Sequence, residues 1–253
     1  FPRAKVLGLM AILFLLVTAG SAAPARAQSL VSDLSNHLVA ITSDFTGAEV
    51  LLFGSIVAEG DIVVTVAGPR IPVVVRRKQR VLGIWMNTDT IEFHNAPAFY
   101  AVASTRPISE IANADVQVRQ EMAVDYLAIR PVVDGDFSPE EVASFRQGLI
   151  RNKIKQGLYK PDVEPIQVLS DRLFRTMIDL PSNPLTGTYT VSVYLIQNGT
   201  VVEAQTNPLI VSKSGLGADI FLFAHTDSAT YGILAILVAV GAGWLAAAIF
   251  RKI

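Results

Sequence analysis

One short run of basic residues carries the densest charge in the chain and follows an apolar, strand-like stretch: Arg76-Arg77-Lys78-Gln79-Arg80. Cationic side chains at this density bind phosphate or anionic lipid. Because alternate side chains of a strand face opposite ways, two of the four cations are expected on one surface. The alternative is a solvated edge strand on which charge prevents pairing with other chains.

The segment after the basic run combines aromatic, amide and imidazole side chains: Trp85, Asn87, His94 and Tyr100. Aromatic residues and arginine are enriched at binding surfaces. We therefore predict a candidate interaction surface made of these four residues together with Arg76, Arg77 and Lys78. The alternative is that the aromatic side chains fill an ordinary core.

The three histidines are widely separated in the sequence: His37, His94 and His225. Met86 is predicted to lie on the strand next to that of His94, across a turn at Asn87–Asp89. Cuprous ion favours methionine and imidazole ligands. The alternative is that the imidazoles are solvated or form hydrogen bonds within the core. No metal or cofactor is assigned.

Motifs of the common catalytic classes are missing from the sequence, which contains no G-x-S-x-G, H-E-x-x-H or P-loop pattern. The absence of cysteine excludes disulfides, thiolate metal sites and a cysteine nucleophile. A net charge of -1 gives no field that attracts nucleic acid. We therefore expect a protein that is not an enzyme. The alternative is a periplasmic enzyme, or a metal- or anion-binding sensor, with an unrecognised site.

Residues 1–27 have the organisation of a secretory signal peptide. Arg3 and Lys5 precede the apolar run Val6–Val17, and Ala25-Arg26-Ala27 forms an A-x-A cleavage site. An uncleaved membrane anchor is the alternative, but the run is shorter than the roughly 20 residues that span a bilayer. We predict that the chain is exported and that residues 28–213 form its soluble domain.

A second apolar segment, Tyr231–Phe250, contains no charged residue. At about 1.5 Å per residue, a helix of this length spans about 30 Å, the hydrocarbon thickness of a bilayer. Arg251 and Lys252 follow, so residues 251–253 are predicted to be cytoplasmic. With residues 214–230 as a juxtamembrane tether, we expect a single-pass protein of the bacterial inner membrane whose soluble domain faces the periplasm.

Small residues recur at every fourth position of this apolar segment: Ala235, Ala239, Gly243 and Ala247. Small residues at this spacing share one helix face and allow close approach of a second membrane helix. The predicted role is a packing face for another membrane protein. Chance is the alternative, because a segment rich in alanine and glycine produces such rows readily.

Short strand-like runs and turn signals fill most of the soluble domain, as is typical of a β-sandwich. The clearest hairpin joins Thr188–Ile196 to Thr200–Gln205 through Asn198-Gly199, a pair that favours positive φ at both positions. Tyr189 resembles the tyrosine corner of immunoglobulin-like sandwiches, although an ordinary strand aromatic is the alternative. We predict a mainly β fold: an immunoglobulin-like β-sandwich with a helical insertion, plus one C-terminal transmembrane helix.

The helical insertion is predicted over about residues 104–161. Its main helix starts at Ser138-Pro139-Glu140-Glu141, which combines an N-cap, a proline at the first helical position and a capping-box glutamate. Gly157 ends this helix. A second helix is predicted over Ile108–Met122.

Several motifs occur in a characteristic order along the chain: Ser43–Gly54, Gly60–Val64, Gly68–Pro69, Val73–Lys78, Gly83–Asn87 and Pro97–Ser104. Together with the signal peptide and the terminal helix, they resemble a family of alphaproteobacterial transmembrane proteins over nearly the whole chain. That family has no assigned activity, so the resemblance supplies no catalytic residues. It implies a neighbouring sulfite or anion exporter as a partner.

The function predicted from these features is a membrane-anchored periplasmic protein-interaction module. Its predicted surroundings are the lipid bilayer and another membrane protein, such as an anion exporter. An accessory role beside a transporter, or in envelope assembly, is the specific form that we expect.

Overall fold

The computed structural model describes residues 29–133, 135–170, 172–215, 220 and 223–251. The predicted signal peptide, residues 1–27, lies outside the described residues. Parts of the predicted tether and tail lie outside them as well, namely 216–219, 221–222 and 252–253.

Thirteen strands lie within the described residues. The first seven are β1 (Leu30–Leu34), β2 (Leu38–Ile41), β3 (Ala48–Ile56), β4 (Asp61–Ala67), β5 (Arg70–Val81), β6 (Ile84–Pro97) and β7 (Tyr100–Ser104). The others are β8 (Arg130–Val132), β9 (Tyr159–Pro165), β10 (Gln167–Leu169), β11 (Leu173–Leu180), β12 (Gly187–Gln197) and β13 (Thr200–Lys213). Between β7 and β9 lie α1 (Ile108–Ile111), α2 (Ala114–Arg119) and α3 (Pro139–Lys155), and α4 (Ser228–Phe250) follows the last strand.

Two sheets face each other and form the sandwich. One has the strand order β1-β3-β11-β10, and the other has the order β2-β13-β12-β4-β7-β9. Their inward side chains share one core, to which the first sheet contributes Leu52 and Phe174 and the second contributes Val64 and Val193. The predicted fold class is confirmed: a mainly β sandwich with inserted helices and one apolar C-terminal helix.

The β12–β13 hairpin confirms the prediction made from Asn198-Gly199. The φ angle is +50° at Asn198 and +79° at Gly199, as a two-residue hairpin turn requires. Tyr189, which points into the core from β12, is fully buried. Its hydroxyl donates a hydrogen bond of 2.9 Å to the carbonyl oxygen of Leu185, which confirms the tyrosine corner.

Strand β4 is buried on both faces and connects the sandwich to the inserted helices. Val64 contributes to the sandwich core, whereas Val63 faces a second core that includes Phe145 and Leu149 of α3. The insertion therefore covers part of the outer face of the six-stranded sheet.

The predicted start and end of α3 are confirmed. The Ser138 side chain accepts a hydrogen bond of 3.3 Å from the Glu141 N–H, and the Glu141 carboxylate accepts one of 3.0 Å from the Ser138 N–H. This is the reciprocal pair of a capping box. Gly157 has φ of +70° immediately after the C-cap, which is the left-handed position that ends many helices.

The continuous helix predicted for Ile108–Met122 is wrong. Two short helices, α1 and α2, replace it and are separated by extended backbone at Ala112. Ala112 forms a bridge with Gly199, and the Asn113 N–H donates to the Gly199 carbonyl. Pairing with the β12–β13 turn therefore interrupts the helix.

The strand bounds predicted around the basic run are also wrong. β5 continues through the run to Val81, and β6 extends without a break from Ile84 to Pro97, so there is no turn at Asn87–Asp89. With β8 they form a third sheet of order β5-β6-β8. Met86 and His94 consequently lie eight positions apart on one strand, roughly 27 Å at about 3.4 Å per residue.

The C-terminal helix α4 is long and apolar enough to cross a membrane. It has 23 residues, an 18-residue stretch of it has a mean hydropathy of 2.5, and none of its residues is buried. It begins three residues before the predicted Tyr231 and ends at the predicted Phe250. A bilayer supplies the apolar environment that such a helix needs.

Candidate functional site

The hairpin of β5 and β6 extends beyond the body of the protein. Its base is anchored by Ile91 and Phe93, which are buried in the second core. From Lys78 through the turn to Thr88, every side chain is exposed. We call residues 78–88 the hairpin arm. Both of its faces are open to the surroundings and available for contact.

The turn at the end of the arm has an unfavourable residue at its first position. Val81 pairs with Ile84, so Leu82 and Gly83 form the two-residue turn, and their φ angles are +50° and +86°. The left-handed conformation brings Cβ close to the following carbonyl oxygen, so this position favours glycine, which has no Cβ, or asparagine and aspartate, whose short polar side chains form local hydrogen bonds. Leu82 is also 99% exposed. The tip therefore presents an isobutyl group that neither turn geometry nor burial explains.

The strand register gives the arm two chemically different faces. Residues opposite each other in an antiparallel pair share a face, and successive residues alternate between faces. One face therefore carries Val81 and Ile84, with Gln79 opposite Met86. On the other face Arg80 lies opposite Trp85, and Lys78 lies opposite Asn87.

Arg77 belongs to the base of the hairpin. Its guanidinium carbon lies 4.6 Å from the ring centroid of Phe145 on α3. Its Nη1 lies 3.6 Å from Asp89 Oδ2 and 3.5 Å from Glu141 Oε1. The Ser138 backbone N–H lowers the pKa of the Glu141 carboxyl, and Arg77 adds to this effect. Arg77 thus fastens the hairpin to α3.

The other cations of the run have no such anchor. Among the described residues, Arg76, Lys78 and Arg80 form no ion pair. Arg80 Nε donates a hydrogen bond of 3.1 Å to the carbonyl oxygen of Gly83, which holds its guanidinium beside the turn. These three positive charges are available to a partner.

The structure brings together four of the seven residues predicted as an interaction surface: Arg76, Lys78, Trp85 and Asn87. The other three lie elsewhere. Arg77 is at the hairpin base, and His94 lies in the part of β6 that pairs with β8, with its Nε2 2.8 Å from Glu92 Oε1. Tyr100 is buried, and its hydroxyl donates to the Glu121 carbonyl oxygen.

Sequence reasoning does not assign Leu82, Ile84 or Met86 to the interaction surface, although their exposed fractions are 99%, 66% and 51%. Apart from Gly83, every residue of Val81–Met86 is apolar, and a short continuous apolar run of this kind is typical of a buried strand. The signal for a projecting hairpin is the long ladder between β5 and β6, which continues past two register shifts and becomes visible only when both strands are paired.

Metal ligands are not grouped in the part of the chain that the structure describes. No set of three or more His, Cys, Asp or Glu side chains there is arranged to hold a metal ion. The separation of Met86 from His94 along β6 also removes the pair that favoured cuprous ion.

The small residues of the membrane segment lie on α4, as their spacing requires: Ala235, Ala239, Gly243 and Ala247. No atom lies within 4 Å of a Cβ added at Gly243, and the same holds for Gly241 on the other side of the helix. The row is therefore open along its length.

Comparison with protein families gives one decisive match. Residues 29–252 match the family model described as "Putative transmembrane protein (Alph_Pro_TM)". The chain belongs to this family. The match includes the sandwich, the hairpin arm and the whole of the membrane segment, and it confirms the resemblance found in the sequence. No curated protein matches the chain. As a member of this transmembrane family, the chain is a membrane protein, and α4 is its candidate span in the described residues.

Proposed function

We propose that this member of the transmembrane family is a membrane-anchored protein-interaction module of the cell envelope. Helix α4 holds the sandwich at the inner membrane, and the hairpin arm binds a protein partner. The observation that carries the proposal is the exposed, left-handed Leu82 at the tip of the arm. The proposal assigns no catalytic role to the chain.

A leucine at position 82 that served only to form the turn would lower the stability of the fold for two reasons. A left-handed backbone costs roughly 1–2 kcal/mol for a residue with a Cβ. An exposed leucine also forgoes the roughly 1.5–3 kcal/mol that burial would provide. The same chain uses Asn198-Gly199 for the two-residue turn between β12 and β13, where no binding role is assigned. Burial of the Leu82 side chain by a partner explains why a leucine occupies this turn.

The composition and edges of the arm support a protein partner. Tryptophan, methionine and arginine are enriched at protein interfaces; Trp85 and Arg80 lie opposite each other on one face of the arm, and Met86 lies on the other face. In the described part of the chain, β8 pairs with β6 only at Glu92–His94, which lies outside the arm. Within the arm, each strand therefore has one edge without a neighbouring strand there. The expected partner offers an apolar groove bordered by carboxylates.

The proposed orientation places the arm in the periplasm. The signal-peptide pattern at residues 1–27 and the basic residues after α4 support it. A second contact with the same partner is proposed along Ala235, Ala239, Gly243 and Ala247. Another membrane protein, such as an anion exporter, meets both requirements because it offers transmembrane helices as well as a periplasmic surface.

Site-specific photocrosslinking tests this proposal. The full-length chain carries p-benzoylphenylalanine in place of Leu82 and is irradiated in its native membrane. We expect a discrete adduct with one other protein. The adduct should disappear when Lys78 and Arg80 are both changed to Glu, because the anionic border of the groove then repels the arm.

The matched control places the same photoreactive group at Asn198, which is also exposed and also begins a two-residue turn. No adduct is expected there. Equal adducts at both positions, or adducts at Leu82 with lipid alone, would overturn the proposal.

A further inference from the structure

A cleft of about 460 Å³ lies between the outer face of the six-stranded sheet and the segment that follows α2. Its floor is formed by side chains of β4 and β12, including Thr65, Thr190 and Tyr194. Its wall includes Arg119, Gln120 and Glu121. Cavities of roughly 300–1,000 Å³ with a few convergent polar groups are typical of small-molecule sites.

Several hydrogen bonds hold the wall of the cleft at Glu121, whose backbone conformation is strained. Glu121 has φ of +50°, a conformation that non-glycine residues keep only when their surroundings enforce it. Arg70 Nη2 donates to Glu121 Oε2 at 2.6 Å, and the Ala128 N–H donates to Oε1 at 3.0 Å. The Tyr100 hydroxyl donates to the Glu121 carbonyl oxygen. These contacts fix the backbone that carries Arg119 and Gln120.

The floor carries hydroxyl groups that the protein itself does not use. Thr65 is 7% exposed, and its hydroxyl has no hydrogen-bond partner among the described residues. The hydroxyls of Thr190 and Tyr194 also have none there. No buried side-chain oxygen of the described residues lacks a partner, so the Thr65 hydroxyl is open to the solvent of the cleft, where a polar ligand can replace water as its partner.

The charge of the cleft is positive. Arg70 is paired with Glu121, whereas Arg119 has no ion pair within the described part of the chain. The two arginines and one glutamate therefore leave one positive charge, carried by a guanidinium at the rim. A guanidinium binds a carboxylate through two parallel hydrogen bonds.

From this arrangement we propose that the cleft binds a small hydroxylated monocarboxylate of the sugar-acid class. Arg119 holds the carboxylate, while Gln120, Thr65, Thr190 and Tyr194 bind the hydroxyl groups. A monoanion matches the net charge of the cleft, and the row of hydroxyl and amide groups matches a polyhydroxylated chain. The site is separate from the hairpin arm and uses none of its residues.

Calorimetric titration of the full-length protein in detergent tests the assignment with matched probes. Galacturonate is compared with galactose, and gluconate with sorbitol, so that each pair differs at the carboxylate. We expect saturable binding of at least one acid, at least tenfold tighter than its neutral counterpart. No binding of either acid, or equal binding of the neutral compounds or of inorganic sulfate, would overturn the proposal.

Two variants locate the binding. Arg119→Gln is expected to weaken acid binding at least tenfold, whereas Arg151→Gln on the exposed face of α3 leaves it unchanged. Thr65→Val keeps the side-chain shape and preserves the fold. It is expected to weaken binding about threefold to tenfold, the loss of one hydrogen bond. Binding that survives both Arg119→Gln and Thr65→Val would place the acid elsewhere and refute the site.

Discussion

The backbone N–H of Asn113 donates a hydrogen bond of 3.0 Å to the carbonyl oxygen of Gly199. This contact fastens the start of α2 to the turn between β12 and β13. The Asn113 side chain lies so close to Gly199 that an added Cβ would overlap its amide. Gly199 therefore meets two requirements at once, a left-handed backbone and close approach of another segment.

Gly199→Ala is expected to lower the free energy of unfolding by more than about 2 kcal/mol. The left-handed backbone alone costs about 1–2 kcal/mol with a Cβ present, and the overlap with Asn113 adds to this. Urea unfolding followed by circular dichroism measures the change. Gly157→Ala is the control, because its φ is +70° and no atom lies within 4 Å of the added Cβ. Equal losses for both variants would contradict the role assigned to the Asn113 contact.

Exchanging the two turn residues should separate stability from binding. Leu82→Asn is expected to leave the melting temperature unchanged or raise it, because asparagine tolerates the left-handed conformation. Asn198→Leu is expected to destabilise the protein by about 1–2 kcal/mol. Only Leu82→Asn should reduce partner recovery in a pull-down from detergent-solubilised membranes. A loss of partner caused by Asn198→Leu in folded protein would argue against the arm as the docking element.

Local signals in the sequence predict the parts of the fold that short segments determine. Asn198-Gly199 predicts its hairpin, and Ser138 with Glu141 predicts the start of α3, because each pattern satisfies the backbone within a few residues. Tyr189, as a tyrosine corner, predicts a hydrogen bond back to the backbone, and Leu185 is the acceptor. The apolar length of α4 likewise depends on composition alone.

Features that depend on distant segments escape the same reasoning. Leu82 gives no turn signal because its side chain opposes the left-handed conformation, so the hairpin arm is divided at Asn87–Asp89 instead. The sequence pattern does not indicate strand β11, because the alternation of polar and apolar residues is broken: polar Thr176 points inward and apolar Met177 points outward. The cleft joins Thr65 to Arg119, which are brought together only when the insertion covers the sheet.

Alkaline pH should destabilise the fold through its buried tyrosines. Burial raises the pKa of the Tyr189 hydroxyl to about 12, and burial also raises the pKa of Tyr100 and Tyr159. An unfolded chain releases these protons near pH 10, as model tyrosines do. The stability that the neutral phenols contribute is therefore complete below about pH 10 and is lost as the pH rises toward 12.

Tyr189→Phe tests the share of this effect that belongs to the tyrosine corner. At pH 8 the variant should lose about 1 kcal/mol, because the hydrogen bond to Leu185 is removed. Between pH 10 and 12 its stability should fall less steeply than that of the wild type, since one titrating group is gone. Urea unfolding at pH 8, 10 and 11 measures both changes, and an unchanged alkaline slope would refute the contribution of Tyr189.

A pair of glycines on α4 tests whether the small-residue row is a packing face. Gly243 belongs to the row, and Gly241 lies two residues earlier, about 200° around the helix. Both sites are open, so leucine fits at either one without contact to the chain itself. Gly243→Leu is expected to reduce the yield of the adduct formed by the photoreactive group at position 82 at least tenfold, because the bulkier residue prevents close approach of a second helix. Gly241→Leu should preserve it, and the same response to both substitutions would mean that α4 acts as an anchor without a specific docking face.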